Sequence, residues 1–147
     1  MTEKLSSWEP QARSIARIII GFLIAQHGFR NAFGMLAARA GRRGAAPMAL
    51  DLLGRAGGYV EIAGGILLML GLFTVPVAMV LCLLAATAYV VGPLTRPSIV
   101  PMRNGGEEAI VFCAAGIFFA LAGAGAWSLD ALVNSDTRGG IRSVGAT

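Results

Sequence analysis

The stretch GGYVEIAGGILLMLGLFTVPVAMVLCLLAATAYVV, residues 57–91, carries a single charged residue, Glu61. A hydrocarbon core of roughly 30 Å requires about 20 apolar residues for each helical crossing, so this run is long enough for two crossings. Phe73-Thr74-Val75-Pro76 divides it, and a proline in this position favours the start of a new helix. The stretch therefore predicts an antiparallel pair of membrane helices, Gly57 to Phe73 and Val75 to Val91.

The rest of the chain has the composition of a membrane protein. Of its 147 residues, 56% are hydrophobic and 14% are charged, whereas a soluble domain carries about 25% charged residues. Two further apolar runs are long enough to cross a bilayer, Ser14 to Leu36 and Glu107 to Ala126. The first of them is too long for a secretory signal. We therefore predict an all-α membrane protein, a bundle of four transmembrane helices with both termini on the same side.

The predicted domain organisation has three parts: a polar N-terminal segment (1–13), a four-helix membrane domain (14–133) and a flexible C-terminal tail (134–147). We call the side that holds the termini face A, and the side that holds the loops 37–56 and 92–106 face B. The Pro47-to-Arg55 part is expected to extend the second helix, with Asp51 and Arg55 paired at i,i+4.

The basic residues do not determine the orientation of the chain, but they do indicate which partners it contacts. Basic residues are nearly balanced between the two faces, so they do not orient the chain. The short polar N-terminus favours placing both termini in the cytoplasm. A pI of about 9.8, with basic residues flanking the spans, indicates contact with the lipid bilayer and not with nucleic acid.

Seven polar residues are expected to meet near face B, because antiparallel crossing brings the end of span one and the starts of spans two and four together. They are His27, Arg30, Asn31, Glu61, Asn104, Glu107 and Glu108. Glu61 lies on a stripe of glycines, Gly54, Gly57, Gly64, Gly65 and Gly71, and such stripes are typical of packing faces between membrane helices. A carboxylate at a helix centre costs at least ~2.5 kcal/mol, so Glu61 needs a partner or a proton. Arg30 is the predicted partner.

Structural interpretations stand beside these functional ones. Asn104 and Glu107 have the spacing of a capping box. A buried Arg30–Glu61 pair also fixes helix register without any chemistry. His27 is the only histidine, so we predict no metal site.

At face A, Arg13 and Arg17 are expected to form a smaller structural pairing with Asp130. Ser128 has the position of a cap for a short helix through Val133. Cys82 is predicted to lie roughly 10 Å from face A and Cys113 roughly 20 Å from it, at about 1.5 Å per residue. Since a disulfide needs Cα atoms within about 7 Å, no intramolecular bridge is predicted.

Three segments together resemble the DoxX family of small four-helix bacterial membrane proteins. They are RIIIGFLIAQHGFRNAFG (17–34), GGYVEIAGGILLMLGLFTVPVAM (57–79) and NGGEEAIVFCAAGIFFALAGAGAWSLDAL (104–132). The family pattern usually has Lys-Leu before Phe-Gly, where this chain has Asn31-Ala32. The resemblance implies a component of a membrane oxidoreductase system that works with other membrane or soluble redox subunits, since relatives are linked to thiosulfate:quinone oxidoreductase and to oxidative-stress assemblies.

The face B residues suit a quinone. Glu61 and Glu107 are the candidate catalytic proton donors. The candidate substrate-binding residues are His27, Arg30, Asn31, Asn104 and Glu108. The sequence shows no haem, flavin or iron–sulfur motif, so we predict no tightly bound cofactor and expect electrons to come from a partner.

Two other functions fit the same residues. In a structural or scaffolding subunit of a larger complex, the polar cluster would only specify helix register and dock a partner. In a small proton-coupled transporter, an intramembrane carboxylate would exchange protons for a substrate. A homo-oligomer is compatible with all three functions, and fold analogy alone does not choose among them.

Overall fold

The computed structural model describes residues 6–33, 48–93 and 96–133 of the chain. The main helices of this part are α1 (Glu9–Ala32), α2 (Met48–Leu70), α3 (Thr74–Val91), the single turn α4 (Pro101–Asn104) and α5 (Glu107–Ala122). A short helix over residues 129–133 follows. These described ranges contain no β-strand. The predicted tail 134–147 lies outside the described residues, as does the side chain of Asp51 with its predicted pair. The predicted extension of the second helix is confirmed, since α2 begins at Met48.

The closest helix packing joins α1 to α2 through small residues. A Cβ on Gly28 would lie 2.5 Å from the main-chain oxygen of Gly58, and one on Gly65 would lie 2.6 Å from that of Gly21. Close backbone approach of this kind is how small residues pack membrane helices. Most of the glycine stripe predicted around Glu61 is buried. Gly54 departs from it, because it is exposed and faces open space.

The other helices complete the bundle around an apolar core. α3 packs extensively against α5, and α2 packs against α3. Buried side chains from all four long helices form the core, namely Ile24, Leu68, Ala78, Leu81 and Phe119. Large apolar side chains also cover the outside, including Leu83 and Leu121, which are 66% and 85% exposed. An apolar outer surface of this extent suits lipid contact.

Within the described residues, two helical segments are long and apolar enough to cross a membrane. They are Leu52–Leu70 and Thr74–Val91, with mean hydropathies of 1.3 and 2.2. The outer helices depart from the predicted spans. α1 begins at Glu9 and includes Arg13 and Arg17, while α5 has 16 residues and ends at Ala122, before the positive-φ residue Gly123. A protein with four spans therefore remains a prediction.

The predicted antiparallel hairpin of α2 and α3 is confirmed, and Asp130 closes its turn. The two carboxylate oxygens of Asp130 accept hydrogen bonds from the main-chain N–H groups of Phe73 and Thr74, each at 2.8 Å. Its own N–H donates to the main-chain oxygen of Gly71 at 2.9 Å. A carboxylate at a helix N-terminus also complements the helix dipole, so Asp130 caps α3. The predicted cap at Ser128 is confirmed as well, because its Oγ accepts from Ala131 N at 3.1 Å.

Arg17 joins three parts of the chain at the same end of the bundle. Its side chain is 0% exposed. Nε donates to the main-chain oxygen of Ala124 at 2.7 Å, and Nη1 donates to that of Met69 at 2.6 Å. Further donations reach the main-chain oxygens of Leu68 and Trp127. A single guanidinium thus fixes the end of α2 and the segment that follows α5.

The pairing predicted for this end takes a different form. Arg17 and Asp130 attract each other electrostatically, but they form no direct ion pair. Arg17 donates its hydrogen bonds to main-chain oxygens, and the carboxylate of Asp130 accepts from N–H groups at the start of α3. Arg13 forms its ion pair with Glu9 and donates to the main-chain oxygen of Ala122. The physical reason is that helix ends expose unpaired carbonyl and N–H groups, which compete for the charged side chains nearby.

The predicted depth separation of the two cysteines is wrong. The Sγ atoms of Cys82 and Cys113 are 3.2 Å apart, and both thiols are free. The error came from the end of α5, which was predicted at Ala126 and lies at Ala122. At about 1.5 Å per residue, Cys113 is then ~14 Å from its helix end and Cys82 is ~12 Å from the start of α3.

Candidate functional site

The last two turns of α1 send neighbouring side chains to different helices. Successive helical residues are about 100° apart, so each position has its own direction. Gly28 and Ala32 are buried against α2. His27 and Arg30 instead point to α5, where they meet Glu108. Asn31 lies at the edge of the α1–α2 contact, with its Cβ beside Gly58.

Glu61 is buried where α1 and α2 approach most closely. It is 8% exposed, and its Cβ lies beside Gly28. Its Oε2 accepts a hydrogen bond from Asn31 Nδ2 at 2.9 Å. The prediction that Glu61 pairs with Arg30 is wrong, because residue 31 and not residue 30 is directed at α2. Asn31 therefore supplies the hydrogen bond that this buried carboxyl group needs.

Arg30 pairs instead with Glu108 at the start of α5. Arg30 Nη2 lies 2.6 Å from Glu108 Oε2, and the two side chains are 40% and 56% exposed. The same Nη2 atom lies 2.8 Å from His27 Nδ1. An ion pair this exposed contributes little to stability, about 0–1 kcal/mol. The ion pair instead positions a side chain, because it holds the Glu108 carboxylate beside the His27 imidazole.

His27 stands between a buried and an exposed carboxyl group. Its Nδ1 lies 3.1 Å from Glu108 Oε2, and its Nε2 lies 3.8 Å from Glu61 Oε1. The Phe112 ring meets the imidazole edge to face, with ring centroids 5.5 Å apart. A neutral imidazole carries a proton on one nitrogen and accepts on the other, and a charged one donates from both. Nδ1 is thus within hydrogen-bond distance of Glu108, whereas the Nε2 contact with Glu61 is longer than a hydrogen bond.

A cavity of about 410 Å³ opens beside this group, between α1 and α5. Ligand pockets commonly measure about 300–1,000 Å³ and combine apolar walls with a few polar groups. The residues that line it are Leu23, Gln26, His27, Arg30, Glu107, Glu108, Val111 and Phe112. Glu107, a predicted proton donor, is thus on the cavity wall, while Glu61 and Asn31 lie behind His27 and outside the lining.

Asn104 lies apart from this cavity and organises the loop before α5. It is 0% exposed. Its Nδ2 donates to Tyr89 Oη at 3.2 Å and to the main-chain oxygen of Ser98 at 3.1 Å, and its Oδ1 accepts from Gly106 N at 2.8 Å. All of its hydrogen-bonding groups therefore have partners within the chain.

The predicted capping box of Asn104 and Glu107 is wrong. The N-cap of α5 is Gly106, and no side chain caps it. Gly105 adopts a left-handed conformation with φ 73°, which turns the chain between Asn104 and the helix. The Asn104 side chain consequently bonds to the N–H two residues on, as in an Asx turn.

The sequence analysis did not predict a role for two aromatic residues of this region, Phe112 and Tyr89. Phe112 follows Glu108 by four residues, and side chains at this spacing share one face of a helix. That spacing was the available signal. Tyr89 had none, because its contact with Asn104 depends on the loop 96–106.

The described residues contain no group of three or more His, Cys, Asp or Glu side chains that could hold a metal ion. What they do contain is an acid–imidazole–acid line that begins at a cavity wall and ends between two helices. The arrangement supports proton exchange and hydrogen bonding to a ligand oxygen.

Comparisons with known proteins identify relatives of the chain. The family model named DoxX matches residues 12–93. An uncharacterized protein of Haemophilus influenzae is 32% identical over 130 residues, which cover 86% of this chain and 93% of the relative. No solved structure gives a significant match.

Proposed function

The chain belongs to the DoxX family of membrane proteins, and from this premise we propose that it is an integral subunit of a membrane oxidoreductase system that handles protons at the α1–α2–α5 cluster. The observation that carries the proposal is the His27 imidazole between Glu61 and Glu108. We further propose four spans in a bacterial inner membrane, with both termini in the cytoplasm. Other redox subunits would supply the electrons.

The proposed proton path follows from the positions of the three side chains. Glu108 is exposed and exchanges protons with the cavity. His27 takes up a proton at Nδ1, which requires Arg30 Nη2 to release the 2.8 Å contact that it makes with this atom, and releases another from Nε2 towards Glu61. The 3.8 Å gap on the Nε2 side exceeds a hydrogen bond, so this transfer requires the two side chains to approach by about 1 Å. Glu61, hydrogen-bonded to Asn31, is the buried end of the path.

The proposed ligand of the cavity is a quinone head group. A quinone that accepts two electrons also takes up two protons, so its site needs hydrogen-bond donors and a source of protons. Arg30 Nη2 is the donor on the cavity wall, and Glu107 and Glu108 are the acids. The apolar wall of Leu23, Val111 and Phe112 would hold the ring.

Quinone binding is tested by photolabelling of the purified protein in lipid nanodiscs. A photoreactive quinone should label peptides from residues 23–30 and 107–112, and an excess of unlabelled quinone should suppress the label. Arg30→Leu should weaken labelling at least tenfold. Glu9→Gln is the matched control at the opposite end of the bundle and should keep full labelling. Label that falls elsewhere, or that Arg30→Leu leaves unchanged, would exclude this cavity.

Proton handling is tested separately from binding. The quinone bound in nanodiscs is reduced chemically, and proton uptake is followed with a pH indicator. Glu61→Gln should retain photolabelling but take up protons at least tenfold more slowly than the unchanged protein. Equal rates for the two proteins would remove Glu61 from the path.

A scaffolding subunit is the second candidate, and one observation favours it. The contacts of His27, Arg30 and Asn31 join α1 to both α2 and α5, so the cluster also fixes the register of three helices. This function predicts that Glu61→Leu leaves the turnover of the assembled complex intact. Proton handling predicts that the same change abolishes turnover while the complex still assembles.

A further inference from the structure

Cys82 of α3 and Cys113 of α5 form a close thiol pair that the proposed proton path does not use. Their Sγ atoms are 3.2 Å apart. Neither residue lines the cavity beside His27. Both thiols are free, and the contact joins residues 31 positions apart in the sequence.

Close backbone packing of α3 and α5 brings the pair together. Gly116 follows Cys113 by about one turn, and a Cβ on it would lie 2.7 Å from Cys82 Cβ and 2.8 Å from the main-chain oxygen of Ala78. Disulfides require Cα atoms about 4.4–6.8 Å apart. Since only the absence of a side chain at Gly116 permits this close helix approach, the glycine allows the two thiols to come within 3.2 Å of each other.

The pair lies at the edge of the α3–α5 contact and not in its centre. Ala78, Leu81 and Phe119 are buried in the core, whereas both cysteines are only partly buried. Their neighbours Met79 and Leu83 are 54% and 66% exposed on the apolar outer surface. A position beside an apolar outer surface suits a membrane-soluble oxidant.

We propose that Cys82 and Cys113 are a dithiol–disulfide redox pair that is oxidised by a quinone dissolved in the bilayer. The two S–H bonds break and one S–S bond forms. The two electrons and two protons released convert the quinone to its hydroquinone, so the reaction balances without another reagent. The resulting bond ties α3 to α5, and a dithiol reductant reverses it.

Counting of free thiols tests the pair. The full-length protein in nanodiscs is reduced, freed of reductant under anaerobic conditions and incubated with a fully ring-substituted quinone, which cannot add thiols covalently. A maleimide polymer then counts the thiols in the denatured protein. The expected result is a fall from two labelled thiols to none, with one hydroquinone formed per chain and no covalent dimer. Dithiothreitol should restore both thiols.

A displaced pair with the same thiol count is the matched control. Cys113→Ser combined with Ala109→Cys moves one thiol by about 6 Å along α5, and its oxidation should be at least tenfold slower. Cys82→Ser alone should keep its one thiol free of intramolecular bridging. Retention of two labelled thiols in the unchanged protein, or equal oxidation of the displaced pair, would overturn the proposal. Because the cysteines lie outside the cavity, Arg30→Leu should leave this reaction unchanged even where it abolishes quinone photolabelling.

Discussion

Asn31 Nδ2 donates a hydrogen bond to Glu61 Oε2 across 2.9 Å, and this contact places an amide where the sequence pattern favoured an arginine. The amide satisfies a buried oxygen without adding charge. It leaves Arg30 available to Glu108 at the cavity. Asn31 therefore contacts the buried carboxyl group of Glu61, and Arg30 contacts the exposed carboxylate of Glu108.

Removal of the Asn31 amide is expected to destabilise the α1–α2 pair. Asn31→Ala leaves Glu61 buried without this partner, which costs about 1–3 kcal/mol. The double variant Asn31→Ala with Glu61→Leu should recover most of the loss, because both polar partners are then absent. Unfolding in detergent, followed by circular dichroism, measures all three proteins. A double variant no more stable than Asn31→Ala would show that the hydrogen bond is not the cause.

The glycines of α1 and α2 give a second prediction. Gly28→Ala sets a methyl group 2.5 Å from the main-chain oxygen of Gly58, and overpacking of this kind costs about 1–3 kcal/mol. Gly54→Ala meets nothing within 4 Å, so it should be neutral or stabilise by about 0.5–1 kcal/mol, as expected for glycine replaced within a helix. Melting temperatures of the two variants in the same detergent compare them. Equal effects would contradict the close helix approach.

Arg17 should tolerate no replacement by lysine. A lysine has three donors at one point and lacks the planar fork that reaches several oxygens at once. Because each lost hydrogen bond to a charged group costs about 1.5–3 kcal/mol, Arg17→Lys should lower the yield of folded protein severely. Arg13→Lys is the control, since Arg13 lies on the same helix and pairs with the exposed Glu9. Size-exclusion chromatography in mild detergent measures the folded fraction. Similar yields from both variants would contradict the role of Arg17.

The proposed four spans predict which sites share a membrane side. Single cysteines at Ser7, Leu132 and Ile99 are introduced after Cys82 and Cys113 are changed to serine. An impermeant maleimide added to intact cells should give the same result at residues 7 and 132, either labelling or protection, and the opposite result at residue 99. Identical labelling at all three positions would rule out this topology.

The sequence was sufficient for the existence of the long helices and for the hairpin of α2 and α3, because apolar runs and a proline that opens a helix are local signals. It was insufficient wherever the result depends on where a helix stops. Gly123 ends α5 four residues early, and this alone moves Cys113 to the depth of Cys82. The length of an apolar run does not mark such an end point, whereas a glycine near its end is a local signal for it.

Partner choice failed for a related reason. Arg30 and Asn31 are adjacent in sequence but about 100° apart around the helix, so a small uncertainty in helix rotation exchanges their partners. Asn104 illustrates a third limit, because its contacts with Tyr89 and Ser98 depend on the path of the loop. Residue type predicted that these side chains would need partners, and the fold decided which ones.

The buried guanidinium of Arg17 has a consequence for biogenesis. Its acceptors on residues 68–69 and 124–127 emerge from the ribosome long after α1 itself. A nascent chain consequently carries a poorly satisfied positive charge until translation has passed residue 127. A chain that ends before residue 124 would lack the acceptors on Ala124 and Trp127, so its guanidinium would be only partly satisfied in an apolar setting. The hydrogen bonding of one side chain near the beginning of the protein is thereby complete only after synthesis has passed the end of α5.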